Sequence, residues 1–103
     1  MKHLTSIEEF QLLRENKKTL FFFNADWCGD CVFIKPEMPD IVEAHPEIQF
    51  IKVDRDDFIE LCEELGITGI PSFLVYDKGV EIGRFVSKNR KTKEEIETFI
   101  ETL

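Results

Sequence analysis

The chain is short of positive charge. Its 13 Lys and Arg stand against 21 Asp and Glu, a formal net charge of -8, and such a surface repels phosphate backbones and anionic lipid headgroups. Neither a nucleic acid nor a membrane is an expected partner. Long apolar runs are missing as well. No stretch is long enough to cross a bilayer, and the opening M-K-H-L-T-S-I-E-E has no apolar segment of signal length, so a cytoplasmic protein is expected. Cysteine is scarce and odd in number, three in all, which argues against a framework of structural disulfides in a reducing compartment. A zinc site built on two of these cysteines would have to recruit Cys62, His3 and His45, which show no ligand spacing, so no metal is expected. Repeats, low-complexity tracts and linkers are also lacking, and 103 residues make a single domain, 1–103, by length. A monomer is the default.

What is present is an alternation of apolar patterns. Thr5-Ser6-Ile7-Glu8 has capping-box spacing ahead of Ile7, Phe10 and Leu13, which predicts a helix from about Ser6 to Glu15. The run T-L-F-F-F-N at 19–24 is apolar without alternation, as in a central strand covered on both faces. Ile34, Met38, Ile41 and Val42 share a helical face, but Pro36 and Pro39 predict a kink or a break, and His45-Pro46 an end. A strand over Ile48–Val53 and a helix over Asp56–Leu65 closed by Gly66 follow. Strands Ser72–Tyr76 and Val80–Val86 flank Asp77-Lys78-Gly79, a hairpin signal with a loop of up to three residues. Thr92-Lys93-Glu94-Glu95 opens a last helix with Ile96, Phe99, Ile100 and Leu103 on its apolar face. Right-handed crossovers make the first two long strands parallel neighbours, so the chain reads as α/β, a mixed sheet with helices on both faces.

Against this background W-C-G-D-C at 27–31 stands out. The pair lies just past the carboxyl end of the central strand, where open α/β sheets carry their functional groups. Cys28 falls at a helix start, where exposed amides favour a thiolate, and Cys31 lies one turn on, within reach of a mixed disulfide formed at Cys28. Dithiol-disulfide exchange follows from that spacing. A structural disulfide, a zinc site and two thiols packed in a core are the competing readings; the turn residues Gly29 and Asp30 weigh against the last.

The chain resembles the thioredoxin family over nearly all its length. The resemblance rests on A-D-W-C-G-D-C at 25–31, Pro36 five residues after the second cysteine, Lys52 in the next strand and G-I-P-S-F at 69–73. It implies the thioredoxin fold, a mixed four- to five-stranded sheet with a short extra edge strand near Lys2–Leu4. It implies protein-disulfide reduction, with Cys28 as nucleophile and Cys31 as resolving thiol. Trp27 would contact substrates, and Ile70-Pro71 would form a cis-proline loop offering Ile70 backbone groups to an extended segment. Disulfide-containing proteins would be the substrates and a thioredoxin reductase the source of electrons, with no bound cofactor.

Two departures from the family pattern bear on mechanism. Phe22 stands where thioredoxins generally carry a buried aspartate that helps to deprotonate the resolving thiol, which leaves Lys52 to face solvent or to find Asp54 or Asp56. Asp30 replaces the proline between the cysteines. Its charge opposes a thiolate at Cys28, and it offers a base for the Cys31 proton. Cys62 reads as a small packing residue, and Lys88–Lys93 as a solvated basic loop with some capacity to dock an acidic partner. A thioredoxin-fold binding module that uses Trp27 and Pro71 with little redox turnover is the rival reading; an oxidase or isomerase is a third.

Overall fold

The computed structural model describes all 103 residues. Eleven segments follow in chain order: β1 Lys2–His3, α1 Ile7–Arg14, β2 Thr19–Asn24, α2 Gly29–Ile34, a 3-10 turn Lys35–Glu37, α3 Met38–Ala44, β3 Gln49–Asp54, α4 Ile59–Leu65, β4 Ser72–Asp77, β5 Val80–Phe85 and α5 Lys93–Glu101. The five strands form one mixed sheet in the order β1-β3-β2-β4-β5. β2 is central, parallel to β3 and antiparallel to β4. The short edge strand implied by the family resemblance is β1, paired in parallel with β3.

All six residues of β2 are buried. Its side chains still alternate, because successive residues of a strand point to opposite faces. Leu20 and Phe22 enter a core shared with Ile34, Met38 and Ile41 of α2 and α3 and with Ile96 and Ile100 of α5. Phe21 and Phe23 enter the opposite core with Phe10 of α1 and Leu61 and Cys62 of α4. The unbroken apolar run therefore has two layers to fill, and the helices lie on both faces as expected.

Several boundaries differ from expectation, each for a local reason. Ser6, not Thr5, caps α1 by accepting from the Glu9 amide at 3.0 Å, while the Glu9 carboxylate accepts from the Thr5 amide at 2.8 Å. The prolines split one helix into three pieces: Pro36 sits in the 3-10 turn and Pro39 in the first turn of α3, where a missing N–H leaves no bond unmade. α4 starts three residues late, since the Asp54 carboxylate accepts from the Asp56 and Asp57 amides and holds a turn in the intervening segment. The β4–β5 loop is only Lys78-Gly79, both at positive φ (52° and 85°), the backbone that a two-residue hairpin of right-handed strand twist requires. Gly66 ends α4 in the left-handed conformation, and Thr92 with Glu95 forms the full capping box of α5; both match expectation.

Candidate active site

The dithiol hangs from the end of the central strand. β2 stops at Asn24, three residues lead to Cys28, and Cys28 becomes the N-cap of α2 in extended geometry, its sulfur accepting the Cys31 amide at 3.2 Å. The same sulfur faces the Ile70 carbonyl at 3.8 Å, and the Ile70–Pro71 bond is cis. Two elements remote in sequence thus meet at one thiol. Cys28 is 7% exposed and Cys31 4%, and all three cysteines are free thiols. Burial pushes the Cys31 thiol up to about 12, reinforced by its contact with Cys28 and, more weakly, by the charge of Asp30. At neutral pH Cys31 therefore holds its proton until the reaction calls for it.

Behind Cys31 opens a cleft of about 360 Å³ lined by Phe22, Asn24, Ala25, Asp26, Cys31, Val32, Lys35 and Lys52. Phe22 is 2% exposed and stacks flat on Phe73, ring centroids 5.0 Å apart at 7°. The position of the family's aspartate is thus filled by packing. Lys52 lines this cleft but forms no ion pair within 4.0 Å; Asp54 caps its turn, and Asp56 accepts from the Trp27 indole at 2.7 Å and pairs with Arg55 at 3.6 Å. Trp27 itself is 63% exposed, with the Arg55 guanidinium 5.8 Å from its ring. Gly29 has open space around its Cα.

The basic run at 88–93 is only partly the solvated loop expected: residues 88–90 are exposed, but Lys91 is not. Lys91 is 1% exposed, its ammonium donating to the Ser87 carbonyl at 3.3 Å, the Ser87 hydroxyl at 3.0 Å and the Asn89 carbonyl at 3.0 Å. Burial pulls it below the usual lysine range, with the carboxylates of Glu95 and Asp30 among the groups that work the other way. Arg90 Nε lies 2.9 Å from Asp30 Oδ1, and its guanidinium sits 4.1 Å from the centre of the Phe33 ring. Lys93 pairs with Asp40 at 3.6 Å. Arg90 and Lys91 were not singled out from the sequence as site residues; the one available signal was a cationic cluster in an acidic chain.

His45 bonds Glu97 at 2.7 Å and ties α3 to α5. Cys62 is 3% exposed in the core, and burial raises its thiol to about 11. No three His, Cys, Asp or Glu side chains gather in a metal-binding group.

The Thioredoxin family model matches residues 2–102. The chain belongs to the thioredoxin family. Similar proteins include mitochondrial thioredoxin-3 of Saccharomyces cerevisiae, 32% identical over 87 residues that cover 84% of this chain and 68% of that one. The H-type thioredoxin of Fagopyrum esculentum is 33% identical over 84 residues, 81% of this chain and 72% of its own. Among solved structures, the oxidized form of the same yeast thioredoxin superposes with a TM-score of 0.87 at 30% identity, covering 100% of this chain and 95% of that one. Plasmodium falciparum thioredoxin gives 0.87 at 31% identity, covering 99% and 98%. Thioredoxins are thiol-disulfide oxidoreductases that act on protein disulfides through a dithiol, without an external cofactor. Cys28 and Cys31 are the C-x-x-C active site of this one. No helix is long and apolar enough to cross a membrane.

Proposed function

We propose that Cys28 is the attacking and Cys31 the resolving thiol of a protein-disulfide reductase recharged by a thioredoxin reductase. The Cys28 thiolate attacks one sulfur of a substrate disulfide; that S–S bond breaks, and the departing substrate thiolate takes up a proton. Cys31 then gives up its proton and attacks Cys28. The mixed disulfide breaks, the second substrate sulfur leaves as a thiol, and the Cys28–Cys31 disulfide remains. Two electrons and two protons from the reductase restore the pair. The observation that carries this assignment is the double contact of the Cys28 sulfur, with the Cys31 amide on one side and the Ile70 carbonyl on the other.

An extended substrate segment would lie along Ile70 and Pro71, against the exposed Trp27. Gly29 leaves the approach to the helix start open. We assign the Cys31 proton to the solvent-sized cleft behind it, whose wall also holds Lys52; the Asp30 carboxylate is engaged by Arg90 instead. The unit is taken to be one domain acting as a monomer in a reducing compartment. The relatives' names, mitochondrial among them, do not single out the cytoplasm.

Phe22 favours the second reading, a binding module with slow turnover, since no buried carboxylate assists Cys31. Insulin reduction coupled to a thioredoxin reductase decides between them. Turnover at catalytic concentration, abolished in Cys28→Ser, with a mixed disulfide trapped in Cys31→Ser, is the expected result. Partner retention by the double serine variant, with no wild-type turnover, would favour the module.

A further inference from the structure

An acidic chain that packs four cations into residues 88–93 accepts their mutual repulsion unless opposite charge lies close by. The loop Ser87–Lys91 meets such charge at the active site. It is seated tightly: a Cβ on Gly69, next to Ile70 and Pro71, would lie 2.6 Å from the Ser87 carbonyl oxygen and 2.7 Å from the Lys88 backbone. Lys91 ties the loop together from inside through its three hydrogen bonds. Arg90 is thereby presented to α2, where it grips Asp30 at 2.9 Å and covers Phe33 at 4.1 Å. One loop rests on the cis-proline segment and reaches the helix that carries both thiols.

Asp30 lies between those thiols, so its charge falls well within a screening length of about 8–10 Å of each sulfur. The other charged or titratable groups around the dithiol are Cys31 on its own helix, Lys91 and Arg90 on the loop, Asp26 on the segment after β2, and Lys35 and Lys52 at the cleft behind Cys31. Asp56, from the segment after β3, is held by Trp27, and the cis-proline segment brings only the neutral Ile70 carbonyl. The two carboxylates nearest in sequence, at 26 and 30, both oppose a Cys28 thiolate. Only the loop supplies the opposite sign on the Asp30 side.

We propose that Arg90 is the charge-compensating positioning residue of the dithiol: paired with Asp30, it offsets the repulsion that this carboxylate exerts on the attacking Cys28 thiolate. The proposal rests on Cys28 being the attacking thiol. A purely structural Arg90 would steady α2 without touching the acidity of that thiol.

The test is the pH dependence of iodoacetamide alkylation of the reduced full chain, with the labelled cysteine mapped by mass. Arg90→Met keeps an apolar stem against Phe33 and removes the charge. It is expected to raise the Cys28 midpoint and slow labelling at pH 7 about two- to fivefold, the range open to a half-exposed pair, with the effect shrinking in 1 M salt. Asp30→Asn is expected to lower the midpoint, and the double variant to return near wild type. Arg90→Lys, which retains charge, is expected to stay near wild type. An unmoved Arg90→Met midpoint, a double variant that tracks Asp30→Asn alone, or an Arg90→Lys variant shifted as far as Arg90→Met would overturn the proposal. Label found on Cys31 instead of Cys28 would overturn the attack assignment, and the proposal with it.

Discussion

Phe22 occupies the position at which thioredoxins generally carry a buried aspartate. It trades a proton acceptor for packing, its ring stacked on Phe73 and its edge on the cleft that also holds Cys31 and Lys52. Phe22→Asp should therefore act in two directions. Losing the buried ring and burying a carboxylate costs about 3 kcal/mol, read as a lower urea midpoint. The new carboxylate, facing Lys52 across the cleft, should speed decay of the mixed disulfide in a rapid-quench assay. An unchanged decay rate would mean that the Cys31 proton never passes through this cleft. Legibility at this scale follows distance along the chain. The C-x-x-C pair is readable because only two residues separate Cys28 from Cys31. The place of Arg90 is not, because it stands 60 positions from Asp30, and no local pattern links the two. Lys52 could face solvent or find Asp54 or Asp56; it lines the cleft and pairs with neither carboxylate, a choice that the sequence leaves open.

Among the elements, the loop between β5 and α5 departs furthest from its sequence reading. Four cations in six residues suggest solvent, yet one is buried, another is latched to α2 and a third is paired with α3. Its fit against the cis-proline segment depends on Gly69, since a methyl there meets backbone that cannot swing aside. Gly69→Ala is expected to cost about 2 kcal/mol through overpacking, with faster amide hydrogen exchange concentrated in 86–91. A variant as stable as the parent, with unchanged exchange, would show that the close approach is not needed. Regular elements were more readable than their ends. The α5 capping box falls at the register its sequence suggests, whereas the N-cap of α1 lies one residue later than the Thr5-x-x-Glu8 spacing suggests. Thr5 and Ser6 can each cap, and the bond from the Glu9 amide to Ser6 decides. α4 began late because the Asp54 carboxylate competes for the amides that would otherwise start the helix.

At the scale of the whole molecule, two apolar layers sandwich the sheet; Cys62 lies in one of them and Cys31 in a small cluster with Ala25 and Cys28, and folding suppresses the ionisation of both. Burial raises Cys31 to about 12 and Cys62 to about 11, and it raises Tyr76 as well. Folded values above the unfolded ones mean that the native state holds these protons more tightly. Their contribution is complete below the ordinary thiol range and is lost as pH rises through it towards 11. Denaturant titrations of the reduced protein should show stability falling between about pH 8.5 and 10.5, with a shallower fall in Cys62→Ala. A flat profile would contradict burial of these groups. The sequence by itself determined the order of the helices and of the four longer strands, the central place of T-L-F-F-F-N and the helix-start dithiol, because periodicity, caps and turns act within a few residues. Tertiary structure alone decided that β4 lies beside β2, that Lys91 is buried, and that Arg90 meets Asp30. Those contacts join segments far apart in the chain, and their partners are chosen by strand register and by how the layers pack, which no short window of residues encodes.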